Sequence, residues 1–455
     1  MSGVELWPLA LSLGILFLLF AAEVPVAFAL GIAGLAGMIQ LGGMWSALSS
    51  LAAIPYNTSA SYTLTVVPMF ILMGLLASHS GMIDGIFNVA QRITRRIPGG
   101  LGVATVIAAT FFGGISGSSV ADAATIGRVS IGEMSKRGYD KAYAAALVAA
   151  AGTVDILIPP SVALVMYGIV SGASIGALLL AGILPGLLTA LCYTILIMFL
   201  SRRHQKPGGE QQADEAGAPA TQEGAHIALR EVFGVVGGAL LFLVVVGGIY
   251  SGTVTATEAG ALGTLAALVL SIVFVLVWNS QGGSRAVKSL LGNAFGETGA
   301  MTAMIFALIV GATIFSHFLV LSGLPDGLME WVVGLGLPSE LVIIALLVIL
   351  LPLGMFIDGL SLLLILAPLF HPIVTEFGYD EIWFGILFIK TIEIGLLTPP
   401  VGLNVFVVSG LFKDLRVEDV FRRITPFILM EFVVTALLFS FPDIITILPR
   451  MAGVH

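Results

Sequence analysis

The sequence has little charge and almost no cysteine. Of its 455 residues only 10% are charged and one is a cysteine, whereas soluble globular proteins carry roughly 25% charged residues. The scarcity of charge excludes an ordinary soluble domain, and the lone Cys192 excludes an internal disulfide. The sequence also lacks a nucleotide-binding motif and a basic stripe of the kind that binds nucleic acid. ATP is therefore not expected as the energy source, nor nucleic acid as a partner.

Groups suited to catalysis are also missing. An intramembrane enzyme needs converging acids or a His-Glu spacing, and the carboxylates expected at depth, Asp122, Asp155 and Asp358, follow no such pattern. An enzyme is therefore disfavoured, and no organic cofactor is expected.

Apolar sequence is abundant. Hydrophobic residues make up 58% of the chain, its mean hydropathy is +1.07, and about 20 apolar residues suffice to cross a bilayer. Residues 6–22 lack the basic segment that opens a cleaved signal peptide, so we expect them to remain as a transmembrane helix. The composition predicts an all-α polytopic membrane protein in a lipid bilayer.

The same kinds of element recur in two halves, residues 1–200 and 229–455, joined by a polar linker at 201–228 that we expect to be a disordered loop. In the first half we predict scaffold spans within 6–80 (6–22, 24–41 and 66–80), an amphipathic arm at 82–97, a hairpin at 101–134, a broken helix at 143–170 and a closing span at 175–200. In the second half we predict scaffold spans within 232–321 (232–250, 259–278 and 298–321), an arm at 325–337, a hairpin at 341–375, a broken helix at 382–408 and a closing span at 427–448.

The basic residues predict an orientation. All lysines and arginines except Arg128, Lys390 and Arg450 fall on one side if the linker is cytoplasmic and both termini are outside. Positive residues favour the cytoplasmic side. The two halves then run in opposite directions through the membrane, so the sequence predicts inverted-topology repeats.

Two Pro-Pro pairs, Pro159–Pro160 and Pro399–Pro400, interrupt apolar segments at matching places in the halves. Proline removes a backbone donor and breaks a helix, and such breaks are tolerated in a membrane only where they line a protected cavity. In the predicted hairpin at 101–134, the first arm of 12 residues is roughly 18 Å long as a helix. Since the hydrocarbon core is ~30 Å thick, we expect a re-entrant hairpin.

The hairpin tips, residues 113–119 and 352–359, should each meet the Pro-Pro break of the same half. Hydroxyls and carbonyls suit a hard cation such as sodium, and N–H groups at half-helix starts suit a carboxylate. Asp358 is the one charge in the second tip, and a carboxylate at membrane depth usually faces a cavity or a partner. Lys390 and Glu393, three positions apart, are expected to pair with each other.

At these breaks the sequence resembles the large membrane subunit of the tripartite ATP-independent periplasmic (TRAP) transporter family. The similarity rests on four segments, GGISGSSVADAATIG, ILIPPSVALVMYG, LGMFIDGLSLLLILAPL and EIGLLTPPVGLNVFV. The resemblance implies an ion-transporter-like elevator fold in a bacterial inner membrane, sodium coupling, and a periplasmic substrate-binding protein. It also implies a small four-helix membrane subunit, which we expect as a separate chain because this sequence starts directly at the large-subunit pattern.

The resemblance further implies binding residues, carried over by position. The first sodium site would be framed by Ser116, Gly117, Ser118, Thr153 and Ile158. The second would be framed by Gly354, Asp358, Gly395 and Thr398, and the substrate would lie near Ser119, Asp358 and Asn404. Asp155 stands where the family usually has glycine, and it would either join the first cation site or be held neutral.

Three functions are compared. The first is a sodium-coupled importer of an organic anion of the carboxylate class. The second is a stand-alone sodium- or proton-coupled anion carrier that works without a binding protein. The third, an intramembrane enzyme or a channel, is disfavoured because catalytic groups are missing and a channel would not need two gated hairpins. The sequence leaves open which carboxylate is transported.

Overall fold

The computed structural model of the chain describes residues 5–112, 119–204, 229–278 and 283–454. Within these ranges the regular secondary structure is helical, as the sequence predicts. Residues 113–118 of the first predicted tip and most of the linker at 201–228 lie outside them.

Each half is a succession of helices. In the first half they are α1 (Leu6–Ala21), α2 (Val26–Ser59), α3 (Val66–Ser80), α4 (Met82–Thr94), α5 (Gly100–Phe112), α6 (Ser119–Lys136), α7 (Lys141–Ala151), α8 (Val162–Ser171) and α9 (Ile175–His204), with 3-10 turns at Tyr62–Thr65 and Asp155–Leu157. In the second half they are α10 (Leu229–Phe242, continuing through a π-helical turn to Tyr250), α11 (Ala256–Trp278), α12 (Gly283–Leu321), α13 (Leu324–Gly334), α14 (Ser339–Gly354), α15 (Gly359–Glu376), α16 (Glu381–Leu397), α17 (Leu403–Gly410), α18 (Val417–Ser440) and α19 (Asp443–Ala452).

Many of these helices can cross a membrane. Among the described residues, eight helices are long and apolar enough to do so, and a ninth span results if α7 and α8, which meet at a 48° bend, count as one. The chain is a multi-pass membrane protein.

The helices pack in two groups, and each group takes members from both halves. The scaffold group consists of α1–α4 and α10–α12, in which α2 packs on α12, α3 on α11 and α4 on α10. The hairpin group consists of α5–α9 and α14–α18, in which α6 packs on α17, α7 on α18 and α8 on α15. Each of these pairs joins one helix of the first half to one of the second.

Glycines allow the close approach inside the scaffold group. A Cβ atom added to Gly311 of α12 would lie 2.0 Å from the carbonyl oxygen of Ala27, and one added to Gly34 would lie 2.8 Å from Cα of Phe315. Helices in lipid associate through close packing rather than through the hydrophobic effect, so small residues mark their interfaces. The α2–α12 contact is such an interface.

The closing span of the second half differs from the prediction. The sequence predicts one span over 427–448, but α18 ends at Ser440 and the separate helix α19 begins at Asp443. The break falls at Pro442, which lacks an N–H and disfavours the helical conformation in the residue before it. Phe441 is accordingly non-helical, with φ −127° and ψ 75°. The predicted boundary is wrong, and α19 packs against α9 and α16.

Two scaffold helices extend beyond the predicted spans. α2 reaches Ser59 rather than ending near residue 41, and α12 begins at Gly283 rather than near 298. In α2 the helix is interrupted at Gly43, where φ is +75°, and then resumes. The predicted spans stop where apolar sequence stops, whereas the backbone hydrogen bonds of a helix continue into polar surroundings.

Candidate functional site

The second hairpin, α14 and α15, packs against the second broken helix through two glycines. A Cβ atom added to Gly395 of α16 would lie 2.8 Å from Cα of Gly354 and 3.0 Å from the carbonyl oxygen of Leu351. No side chain fits between these backbones. The two predicted second-site glycines are therefore in direct backbone contact, close to the Pro399–Pro400 break, whose peptide bond is cis.

Asp358 lies in the turn between the two arms of this hairpin. Its backbone is extended, and its carboxylate accepts a hydrogen bond of 3.0 Å from the Ser361 N–H, so that it caps the start of α15. The side chain is half-buried. A helix N-terminus with an aspartate cap combines partial positive charge from the backbone with a full negative charge from the side chain. The remaining carboxylate lone pairs are available to a cation.

Thr398 caps the end of α16, three positions after Gly395. Its backbone is extended, and its hydroxyl donates to the carbonyl oxygen of Ile394 at 2.6 Å. Since the hydroxyl proton is used in this way, the oxygen can act only as an acceptor or ligand.

The sequence predicts that Lys390 pairs with Glu393, and the structure gives Lys390 a further carboxylate partner from another helix. The Lys390 ammonium forms an ion pair of 2.5 Å with Glu431 of α18 and donates to the Thr189 hydroxyl of α9 at 2.9 Å. The i,i+3 spacing permits a pair on one face, but the tertiary contact with α18 offers Lys390 a fully buried carboxylate.

Glu393 lies beside the second hairpin. Its Oε1 atom is 3.6 Å from where a Cβ atom of Gly359 would be, at the first residue of α15. The side chain is buried. The structure thus adds to the predicted second-site residues a second carboxylate, which sequence reasoning assigned to Lys390.

The first broken helix brings together other predicted residues. Thr153 is fully buried, and its hydroxyl donates to the carbonyl oxygen of Ala150 at 2.8 Å. Ile158 is extended and buried, just before the cis Pro159–Pro160 bond. Ser119, at the start of α6, is buried, and its carbonyl oxygen would lie 2.9 Å from a Cβ atom on Gly152. The second arm of the first hairpin therefore packs against the break of its own half.

Three predicted ligands of the first site cannot be placed. Ser116, Gly117 and Ser118 lie outside the described residues. Asp155 is in the 3-10 turn between Thr153 and Ile158, and only 1% of it is exposed. This acid is thus deep in the protein, next in sequence to residues of the predicted site.

Asn404 of α17 is fully buried, and neither atom of its amide has a hydrogen-bond partner among the described residues. α17 packs on α6 and α7 of the first half. A buried amide left without partners costs about 1–3 kcal/mol. Such a group is suited to receive a polar ligand between the two halves.

An ion pair links the two broken segments at their far ends. Lys141, the first residue of α7, donates to the Asp414 carboxylate at 2.6 Å in the turn after α17. This hydrogen bond is the main reason that the pKa of Asp414 is lowered. The contact joins the start of α7, in the first broken helix, to the turn that follows α17, in the second.

The arrangement is suited to binding rather than to bond cleavage. In the part of the chain that the structure describes, no three His, Cys, Asp or Glu side chains gather into a metal-binding group. The polar groups described at the two breaks are hydroxyls, carbonyls, an amide and carboxylates.

Comparison with known proteins agrees with this description. Residues 13–444 match the family described as the tripartite ATP-independent periplasmic transporter, DctM component. The chain is 34% identical over 404 residues to the C4-dicarboxylate TRAP transporter large permease protein DctM of Pseudomonas aeruginosa, which covers 89% of this chain and 90% of that protein. It is 34% identical over 442 residues to the sialic acid TRAP transporter large permease protein SiaM of Vibrio cholerae, covering 96% and 97% of the two chains.

Among solved structures, the YdaH transporter of Alcanivorax borkumensis is similar in fold, with a TM-score of 0.62 and 16% identity over 87% of this chain and 89% of that one. At this identity the likeness concerns the fold alone. The match to the family over nearly the whole chain is the stronger finding. The chain belongs to the TRAP transporter family, as its DctM component.

Proposed function

We propose that this chain carries an organic anion of the carboxylate class into the cell, driven by a sodium gradient. As a DctM component of the bacterial inner membrane it is a transporter subunit and not an enzyme. The relatives named above are permeases for C4-dicarboxylates and for sialic acid, and both of these solutes carry carboxylates. The shared chemistry supports a carboxylate substrate here.

The observation that carries the proposal is the backbone contact of Gly354 with Gly395, beside Asp358 and Thr398. The contact brings an aspartate, a threonine oxygen and the backbone of two helix ends into one region. Oxygen ligands of this kind suit a hard cation. Thr153, Ile158 and the start of α6 form the corresponding region of the first half, and we assign the first cation site there.

Electrostatics supports coupling between sodium and the anion. Asp358 lies at the start of α15, so an incoming carboxylate would meet like charge. A bound sodium ion neutralises this charge and leaves the backbone N–H groups of the helix start to attract the anion. The anion is then bound near Ser119, Asp358 and Asn404, where the unsatisfied Asn404 amide supplies hydrogen bonds.

The hairpin group is the part that we expect to move. Its helices form pairs across the two halves, as inverted repeats would, and it contacts the scaffold group through α4–α5, α3–α8 and α12–α15. We propose that it slides as a unit against the scaffold in an elevator motion. The family is tripartite, so we propose a periplasmic binding protein and a small membrane subunit as partners.

The test is reconstitution of the chain with its two partners in liposomes, followed by a screen of carboxylates under an inward sodium gradient. We expect uptake of at least one carboxylate with sodium, and none when choline replaces sodium. Uptake that ignores sodium would contradict the coupling. Equal uptake without the binding protein would favour the stand-alone carrier.

One substitution can remove the negative charge of Asp358 and keep its hydrogen bond at the start of α15. Asparagine caps a helix about as well as aspartate, so Asp358→Asn should keep the hairpin folded while removing a cation ligand. We expect the sodium concentration for half-maximal uptake to rise about tenfold or more, with normal membrane abundance.

Asp380→Asn is the matched control for this substitution. Asp380 also caps a helix, accepting from the N–H groups of Ile382 and Trp383 at the start of α16, but it is exposed and lies at the end of α16 away from the break. The sodium dependence of uptake by the Asp380→Asn variant should equal that of the wild type. An unchanged sodium dependence in Asp358→Asn would remove Asp358 from the cation site.

A further inference from the structure

A lysine is buried where three helices of the hairpin group meet. Lys390 of α16 has no exposed surface, and α16, α9 and α18 pack against one another. The Lys390 ammonium lies 2.5 Å from the Glu431 carboxylate of α18 and donates to the Thr189 hydroxyl of α9 at 2.9 Å. Both partners are as fully buried as the lysine. The charged end of Lys390 is therefore held by oxygen atoms that come from two other helices.

These oxygen atoms are supported by hydrogen bonds that do not involve the lysine. The Thr189 hydroxyl donates its proton to the Pro185 carbonyl oxygen at 2.9 Å, so it can offer only lone pairs to a cation. Tyr193, one turn further along α9, donates its phenolic proton to the other oxygen of the Glu431 carboxylate at 2.5 Å. The Tyr193 ring in turn meets the edge of the Phe427 ring at a centroid distance of 5.4 Å. The carboxylate and the hydroxyl therefore keep these supports when the lysine side chain is shortened.

The two oxygen groups are of the kind that binds a small cation. A carboxylate and a hydroxyl are hard ligands, and a buried carboxylate that loses its paired cation is strongly destabilising. Shortening Lys390 to alanine removes the atoms of a propylammonium ion and leaves their space next to Glu431. A free cation that enters this space would meet the same oxygen atoms as the lysine ammonium does.

We propose that Glu431 and Thr189 form a cation site of the hairpin group, that the Lys390 ammonium occupies this site as a tethered ion, and that a free alkylammonium ion binds there when the tether is cut. The inference rests on the proposed function only in taking the hairpin group as the part that moves. The tethered ion travels with this group in every cycle and never dissociates. The site shares no residue with the two sodium sites proposed above and needs no ion from solution.

The test is rescue of purified Lys390→Ala by n-propylammonium chloride, which supplies the missing atoms. Lys390→Ala should unfold at a lower temperature than the wild type, because the buried Glu431 carboxylate has lost its cation. A ligand that binds the folded protein stabilises it, so n-propylammonium should raise the unfolding temperature of the variant saturably by a few degrees. The wild type should not respond, since its site is filled. An equal response of the wild type and the variant would overturn the proposal.

Two further solutes separate charge from the filling of a cavity. n-Propanol has nearly the size of n-propylammonium and no charge, whereas choline has the charge and is too bulky for the space of a lysine stem. Neither should stabilise Lys390→Ala as n-propylammonium does. Equal stabilisation by n-propanol would reveal a cavity without a cation site and would contradict the inference.

Lys390→Ala/Glu431→Gln is the matched control variant, because it has the same space and lacks the carboxylate charge. The half-saturating concentration of n-propylammonium should be about tenfold higher or more than in Lys390→Ala, the effect of losing a charged hydrogen-bond partner. Lys413→Ala removes an exposed lysine and should not respond. An unchanged half-saturation in the double variant rules out Glu431 as the ligand and overturns the proposal.

A variant that folds only with the ion is tested in cells. If Lys390→Ala cannot be purified, its abundance in the membrane is compared between cells grown with and without n-propylammonium. Recovery in Lys390→Ala and not in the double variant supports the site, and absence of recovery overturns it. None of these measurements involves sodium or the transported anion, so their failure leaves the proposed function intact. Conversely, sodium-independent uptake by the wild type would overturn the proposed function and leave the Lys390 site standing.

Discussion

Replacing Lys390 by methionine is expected to destabilise the folded protein by about 3–5 kcal/mol. The substitution removes the only ammonium that is paired with Glu431 among the described residues and leaves that carboxylate with no exposed surface. Methionine fills the space of the lysine stem, so the loss comes from the uncompensated charge rather than from a cavity. Thermal unfolding of the purified protein and its abundance in the membrane measure the effect.

The double variant Lys390→Met/Glu431→Leu distinguishes this cause from simple loss of packing. Replacing both members of a buried ion pair by apolar residues is often neutral or stabilising, so the double variant should recover most of the stability that the single variant loses. The exposed Lys413 provides the control, since Lys413→Met should change the free energy of unfolding by no more than about 0.5 kcal/mol. A double variant that is no more stable than Lys390→Met would show that the charge is not the cause.

The importance of Lys390 could not be seen in the sequence. Local spacing offers Glu393 as its partner, but the choice between Glu393 and Glu431 depends on which face of α16 packs against α18. That contact joins elements distant along the chain. Hydrophobic periodicity contains no signal for it, because every residue of α16 from Ile382 to Leu397 is buried and no exposed face indicates how the helix is oriented.

Much of the architecture was accessible from sequence because its signals are local. Proline pairs interrupt helices wherever they fall, and the two breaks lie between α7 and α8 and between α16 and α17. Helix ends in polar regions were less predictable, as α2, α12 and α19 illustrate. Hydropathy indicates where apolar sequence ends, and a helix ends for other reasons, such as Pro442 or the left-handed Gly453 that terminates α19.

The contact between the second hairpin and its broken helix could also be predicted only in part. The sequence predicts that the tip and the break meet, and it supplies many glycines, 55 in all. It does not say which glycine contacts which. The structure selects Gly354 and Gly395 by placing their backbones in contact, and this selection allows the second strong prediction.

Gly395→Ala is expected to lower sodium-driven uptake about tenfold or more, because overpacking of this kind costs roughly 1–3 kcal/mol. The new Cβ atom would lie 2.8 Å from Cα of Gly354 and 3.0 Å from the Leu351 carbonyl oxygen. Both are backbone atoms, so no side-chain rotation relieves the clash. The hairpin must move away from the broken helix, which separates Asp358 from Thr398. Uptake of the carboxylate identified in the reconstitution screen measures the effect.

Gly410→Ala is the matched control for Gly395→Ala. Both glycines lie in helices of the second broken segment, where alanine is intrinsically favoured by about 0.5–1 kcal/mol. Nothing lies within 4 Å of a Cβ atom on Gly410, so Gly410→Ala should transport normally and be at least as stable as the wild type. Helix propensity predicts the same gain at both positions, and a loss confined to Gly395 must come from the contact with Gly354. Normal uptake by Gly395→Ala would mean that transport does not require the hairpin to pack against the break.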